Sequence, residues 1–299
     1  MALDVRVPLL PPEHAKPTPN QDVRPMVWVS LVSGAVSGAV AKTTIAPLDR
    51  TKIYFQVSNS PYSWSAVVRY LRSSWSSRSL WRGNSATMAR IVPYSAVQFA
   101  AHEQWRALLG VSTKEDAKRS RAKMFLAGSL AGVTSQSATY PLDLARARMA
   151  VSPRGGLLAV LRERARGGLP ALYRGYLATV LGVIPYAGVS FFTYNTLKTE
   201  FQERVGSSQG VANLVLGGVA GVLGQSSSYP LDVVRRRLQT CSRTLAHPIL
   251  HTIQHIYSTE GWRGFFKGLS MNWIKGPIAV GISFSTYDLV RSHLAALHR

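Results

Sequence analysis

Six stretches of this chain are almost free of charge, and that pattern limits what the chain can fold into. Pro25 to Leu48 carries only Lys42, Gly83 to His102 only Arg90, and Gly268 to Tyr287 only Lys275, while Met124 to Leu142, Gly175 to Leu197 and Val205 to Leu231 carry none. They run from 19 to 27 residues. Each is long enough, as a helix, to cross a hydrocarbon layer of about 30 Å. The stretches are rich in Gly, Ala, Ser and Thr rather than Leu. Small residues let helix backbones approach closely where no water drives association. The pairs Gly34/Gly38, Gly128/Gly132 and Gly217/Gly221 set such a notch in the first, third and fifth stretches. In water the same Gly- and Ser-rich segments would make poor surface helices, so a soluble helical-repeat protein is the weaker reading. The remaining charge is strongly one-sided: 35 Lys+Arg against 14 Asp+Glu, a net +21. That points to anionic partners, whether nucleic acid, lipid or phosphorylated solute. Cys241 is the single cysteine, which excludes an intrachain disulfide and any Cys-rich metal module. Residues 1–24, with five prolines, read as a flexible tail with neither a secretory signal nor an acid-poor transit peptide.

Two markers recur three times in the same register. Pro47-Leu48-Asp49, Pro141-Leu142-Asp143 and Pro230-Leu231-Asp232 close the odd stretches, and each acid is followed three residues on by a base: Lys52, Arg146 and Arg235. Trp81-Arg82-Gly83, Tyr173-Arg174-Gly175 and Phe266-Lys267-Gly268 open the even ones. The chain is therefore predicted to be an all-α membrane protein of three tandem repeats of about 90 residues, each a pair of membrane helices with a basic connecting segment. The repeats are expected at 25–112, 113–205 and 206–299.

Proline followed by acid and base, then aromatic–basic–Gly, resembles the signature of the mitochondrial carrier family from Met26 to about His293. The resemblance implies a six-transmembrane-helix bundle around a central solute path, multi-pass in the mitochondrial inner membrane. It also implies alternating access, with both termini facing the intermembrane space. The signature has a physical reading of its own. A proline inside a membrane helix breaks the hydrogen-bond ladder and can draw three helices together at one end of a cavity. Acid and base three residues apart share a helix face. Three such helices in a ring can pair Asp49 with Arg146, Asp143 with Arg235, and Asp232 with Lys52. A lone charge there costs about 2.5–3.5 kcal/mol, so pairing is nearly compulsory. Such a ring is either a permanent brace or a matrix-side gate, and the resemblance favours the gate. Gln56 and Gln239 resemble braces beneath these pairs, and the second repeat has Ala150 instead. Glu103, Arg106, Lys198, Asp288 and Arg291 supply an opposite, cytoplasmic gate, with Glu103–Lys198 and Asp288–Arg106 as pairs. Asn195 stands where the family has an acid, so this gate is expected to be the weaker one. The family also has acid–Gly ahead of the second marker; Glu260-Gly261 fits, Gly167-Gly168 keeps only the glycine and Trp75-Ser76 neither. Helix N-termini at Arg82-Gly83, Arg174-Gly175 and Lys267-Gly268 are candidate cardiolipin phosphate sites, with the first repeat the least complete.

A solute without threefold symmetry should be read where the repeats disagree. Seven residues past the marker glycines stand Arg90, Gly182 and Lys275, and five before the prolines stand Lys42, Gln136 and Gln225. Lys42, Arg90 and Lys275 are the only charges inside the spans away from their ends, costly unless they face water or an anion. Together they suit phosphate. Gly182-Val183 with Tyr186 leaves a small flat surface beside an aromatic ring, where a planar base can lie. These positions match the contact points of the adenine-nucleotide-type carriers. The stretches 83–88, 182–188, 229–237 and 268–284 further resemble the branch of the family that carries coenzyme A. The resemblance thus implies coenzyme A and adenine nucleotides as transported solutes, inner-membrane cardiolipin as a lipid partner, and a monomer, since three repeats already close a ring. An ADP, ATP or ATP-Mg/phosphate carrier is the alternative within the family. A basic RNA-binding repeat protein is the alternative outside it, and it is disfavoured because the bases crowd the junctions and leave the spans bare. No cofactor and no nucleic-acid partner is expected. His247, His251 and His255 fall at helical spacing but lack an acid or thiol to complete a metal site. No Walker loop, dinucleotide fingerprint or catalytic constellation is present, so the chain is not read as an enzyme.

Overall fold

A computed structural model describes residues 23–75, 79–111, 120–152, 155–205, 210–241 and 247–297. Residues 1–22 of the expected tail, and the seam between residues 112 and 113, lie outside the described residues. Val23 and Arg24 already belong to the first helix.

Among the described residues six long helices carry the fold: α1 (Val23–Val57), α3 (Asn84–Leu108), α4 (Arg121–Val151), α7 (Tyr176–Val205), α8 (Gly210–Thr240) and α10 (Leu269–Leu297). Four shorter helices connect them within the repeats: α2 (Trp64–Trp75), α5 (Leu157–Ala165), α6 (Gly168–Leu172) and α9 (Pro248–Glu260). Each long helix contains a proline: Pro47, Pro93, Pro141, Pro185, Pro230 and Pro277. Judged on length and mean hydropathy alone, among the described residues only Tyr176–Arg204 would be read as a membrane span. The other long helices spend many positions on Gly, Ser and Thr and on the charges at their ends, which lowers the mean without shortening the helix.

The ring closes in the order α1, α3, α4, α7, α8, α10, and its strongest packing runs across the repeat seams, α3 on α4, α7 on α8 and α10 on α1. Partners within a repeat touch far less. The odd helices α1, α4 and α8 also meet one another. Their meeting end is where the buried clusters lie. Phe55 and Val67 pack with Met271, Ala145 and Met149 with Ala86 and Val160, and Tyr229, Val233 and Leu238 with Ala178, Ile256 and Phe265. Each cluster joins the end of an odd helix to the short helix after it and to the even helix of the repeat before. Away from this end, large apolar side chains such as Val92, Phe99, Ile184 and Phe192 point outward, as lipid requires of a spanning helix.

The marker glycines hold the seams together. Gly83, Gly175 and Gly268 sit at φ +88°, +83° and +83°, the left-handed region that side chains disfavour. A Cβ on Gly83 would lie 3.0 Å from the Arg146 carbonyl, and on Gly175 3.2 Å from that of Arg235; on Gly268 it would approach Lys52 Cγ to 3.3 Å. In every repeat the glycine therefore seats the start of an even helix against the basic residue of the next repeat's signature. Gly224 makes a further close crossing, since a Cβ there would fall 2.8 Å from the Tyr186 carbonyl oxygen.

Candidate functional site

At the convergent end the six signature charges form a cyclic set of pairs. Arg146 Nη2 lies 2.5 Å from Asp49 Oδ2, Lys52 Nζ lies 2.9 Å from Asp232 Oδ2, and Arg235 pairs with Asp143. Each pair joins one repeat to the next. Two are braced. Gln56 Nε2 donates to Asp232 Oδ2 (3.1 Å) and to the Tyr229 hydroxyl (3.1 Å); Gln239 Nε2 donates to Asp143 Oδ2 (2.9 Å) and to the Tyr140 hydroxyl (3.1 Å). Ala150 offers no such donor to Asp49. The tyrosines extend the network, their hydroxyls donating to the carbonyls of Arg174 and Lys267 at 2.7 Å. Asn272 adds an acceptor for Lys52 Nζ at 3.2 Å.

A second ring of bonds lies just beyond the pairs. Arg148 Nε donates to the Gln239 carbonyl (2.9 Å), Arg237 Nε to the Gln56 carbonyl (3.0 Å), and Arg50 Nε to the Ala150 carbonyl (3.0 Å). Arg148 and Arg237 stand five residues after their aspartates, where the first repeat has Tyr54 and uses Arg50 instead. Sequence reasoning missed Tyr140, Tyr229, Asn272 and these arginines. Register gives a signal for most of them: the tyrosines directly precede the prolines, and the arginines cap the carbonyl seven residues past each aspartate.

The cavity opens above this floor, with a volume of about 610 Å³. Gly182, Val183, Tyr186 and Lys275 share its wall with Gln136 and Gln225. The Tyr186 stretch is fixed by the Gly224 crossing and by Ser227 Oγ, which donates to the Pro185 carbonyl at 3.1 Å. Of the three expected phosphate cations, Lys275 lines this cavity while Arg90 and Lys42 do not, and Lys275 and Arg90 hold the floor. Lys275 Nζ lies 2.8 Å from Asp49 Oδ1. Arg90 reaches Asp143 Oδ1 at 3.4 Å, donates to Gln136 Oε1 at 2.6 Å and lies over the Tyr94 ring. Lys42 is exposed and lines a small recess with Asp49, Arg82 and Arg146.

The opposite end is not assembled. Glu103 and Lys198, and likewise Asp288 and Arg106, form no ion pair with each other among the described residues. Arg106 Nε instead donates to the Val111 carbonyl at 3.1 Å, Lys198 lies 5.7 Å from the Tyr194 ring, and Glu103, Asp288 and Arg291 are exposed. Among the described residues, ion pairs between repeats close the proline–acid end, and none joins the opposite set.

The marker bases part company. Arg174 lines a groove of about 720 Å³ between the start of α7 and the start of α9, together with Arg164 and His247. Arg164 Nε is buried there without a partner, and burial, then the neighbouring Arg174 charge, pushes its pKa below the usual value. Lys267 turns inward, its Nζ 2.9 Å from Glu260 Oε2 and 3.2 Å from the Ser58 carbonyl. The reason is Glu260 itself, which also binds Arg237 at 2.6 Å. The equivalent positions in the first two repeats are Trp75 and Gly167, which have no acid to draw a base inward. Arg82 lines the recess of Lys42.

The family model described as mitochondrial carrier protein matches residues 24–112, 117–205 and 206–297. The mitochondrial coenzyme A transporter SLC25A42 of Xenopus tropicalis is 52% identical over 284 residues, 90% of this chain and 86% of that protein. The human protein of the same name is 52% identical over 280 residues, 89% of this chain and 87% of its own length. Mitochondrial substrate carrier family protein P of Dictyostelium discoideum is 39% identical over 280 residues, 87% of this chain and 92% of that protein. Three matched repeats, each closing an ion pair with the next around a cavity open at one end, place this chain in the mitochondrial carrier family.

Proposed function

We propose that this chain is an inner-membrane antiporter that exchanges coenzyme A and dephospho-coenzyme A for adenine nucleotides such as ADP and adenosine 3′,5′-diphosphate, by alternating access. The observation that carries the mechanism is that Arg90 and Lys275 hold the gate aspartates Asp143 and Asp49. Phosphate competes with carboxylate for the same cations. A nucleotide whose phosphates take Lys275, Arg90 and Lys42 removes a second cation from two of the three aspartates, while its base lies on Gly182-Val183 beside Tyr186. Each aspartate keeps its inter-repeat partner but loses part of its compensation, which weakens the ring for as long as the phosphate stays in place. The loaded carrier can therefore open its matrix end, and the empty one is held shut. Ligand-driven exchange follows, since a ligand shifts an equilibrium only by its differential affinity for the two states. No covalent step is involved. The likeness to coenzyme A transporters supports this choice of cargo.

The groove at Arg164 and Arg174 suits the phosphates of cardiolipin. Two cations and an unpartnered buried N–H face it, at the start of two helices whose free amides attract anions. The closed ring of six helices supports a monomeric working unit.

Uptake of labelled coenzyme A into proteoliposomes preloaded with coenzyme A, ADP, adenosine 3′,5′-diphosphate or nothing tests the reading. Uptake should require an internal partner, compete poorly with ATP and fall at least a hundredfold in Arg90→Ala, with the variant still folded and inserted. Rapid ATP or ATP-Mg exchange without coenzyme A uptake would reassign the cargo within the family, and normal transport by Arg90→Ala would discard the site.

A further inference from the structure

The threefold register exposes a missing cation. Seven residues past its marker glycine, the first repeat sends Arg90 to Asp143 of the second, and the third sends Lys275 to Asp49 of the first. By the same rule the second repeat should send a cation to Asp232, but Gly182 stands there. The charge comes from elsewhere. Four residues after Asp232, where the other repeats bury Ile53 and Ala147, the third repeat has Arg236. Its Nε lies 3.9 Å from Asp232 Oδ1 and its Nη1 3.4 Å from Asp143 Oδ2.

We infer that Arg236 supplies the cation this register lacks, moved from an even helix to an odd one, and that it binds a phosphate on the ribose of the transported nucleotide. The inference rests on the coenzyme A reading above and deepens it. Arg236 lines the same cavity as Gly182, Val183 and Tyr186. Gly182 packs beside Leu231, an added Cβ falling 3.7 Å from that of Leu231. Arg236 lies five residues on from Leu231, about 7.5 Å along α8, below the surface assigned to the base. A base on that surface brings its ribose to this level, while the 5′-phosphates extend across the cavity toward Lys275 and Arg90. Arg236 is also loosely committed. Both carboxylate contacts are long, its short bond is to the neutral Gln239 Oε1 at 2.9 Å, and among the described residues its Nη2 meets no acceptor. A guanidinium with a spare edge takes phosphate in bidentate fashion. Placing glycine rather than a cation on α7 frees the flat wall for the base, and placing arginine on α8 still gives Asp232 its cation.

The expected preference is for 3′-phosphorylated substrates. In proteoliposomes exchanging coenzyme A, dephospho-coenzyme A or ADP, Arg236→Gln should raise the KM for coenzyme A at least ten times more than the KM for dephospho-coenzyme A. Adenosine 3′,5′-diphosphate should lose its advantage over ADP as a competitor, and Arg236→Lys should recover part of both preferences. Equal losses for both coenzyme A forms would make Arg236 part of the gate alone and overturn the assignment, as would unchanged KM values. A wild-type protein that fails to transport coenzyme A would refute the underlying cargo reading, whereas a wild type that transports it without discrimination in the variants refutes only the role of Arg236.

Discussion

Each gate aspartate is judged by how many donors it holds. Asp143 meets Arg235, Arg236, Arg90 and Gln239, whereas Asp49 meets Arg146 and Lys275. Both aspartates give their second oxygen to a cation from an even helix, Arg90 or Lys275, but only Asp143 has a glutamine brace as well. Removing Gln239 should be felt in stability first. Gln239→Ala takes a donor from a carboxylate that is almost wholly buried and from the Tyr140 hydroxyl, at a cost of about 1–3 kcal/mol. The expected result is a lower Tm in detergent and a faster exchange rate, and an unchanged Tm would show the brace to be idle. The three pairs were legible in the sequence because the motif occurs three times and a ring admits few partners for each charge. That Arg90 and Lys275 rest on the gate aspartates was not legible, because it depends on how far the even helices lean inward, which no spacing encodes. Arg236 was hidden for another reason: within Arg235-Arg236-Arg237 nothing local distinguishes a gate residue, a cavity residue and a seam residue, yet the fold gives each a different task. Lys267 repeats the lesson, since only the packed structure shows Glu260 drawing it inward.

Among the elements, the seams between repeats carry the packing, and glycines decide how close they come. The α7–α8 crossing is the sharpest case. A side chain at Gly224 would meet the Tyr186 carbonyl and Ser190 Oγ, and the equivalent positions Ala41 and Ser135 are small and buried. Gly224→Val should force the two helices apart and displace Tyr186. Overpacking of this kind costs about 1–3 kcal/mol, so the variant is expected to unfold at lower temperature and to lose affinity for nucleotide more than maximal rate. Retention of both would mean that the crossing yields without disturbing the site. The six spans were readable from missing charge, but mean hydropathy identifies only one of them, because a helix lining a watery cavity spends many of its positions on small polar residues.

Over the whole molecule the two ends are unequal. The ring at the proline–acid end has three pairs and two glutamine braces, whereas the acid–base set expected to close the opposite end has five charges and Asn195. A carrier with one strong and one weak gate should favour the state closed at the strong end when empty, which is the state seen. Asn195→Asp supplies the missing acid for Arg291. It should stabilise the alternative state, open at the matrix end, and slow exchange several-fold, measured as the initial uptake rate at saturating substrate on both sides. An unchanged rate would show that this gate does not limit the cycle.

The packing of α10 on α1, sealed by Lys275 with Asp49 and by Lys52 with Asn272, means that the first of the six long helices to be made finds its principal neighbour in the last of them. Until residue 269 and those beyond it are inserted, Lys52 lacks the Asn272 acceptor and one flank of α1 stays bare. Domains that fold as they are made escape this delay; here the early repeats must wait. A message truncated before α10 leaves an unclosed ring, with Lys52 without its Asn272 acceptor and one flank of α1 open to lipid.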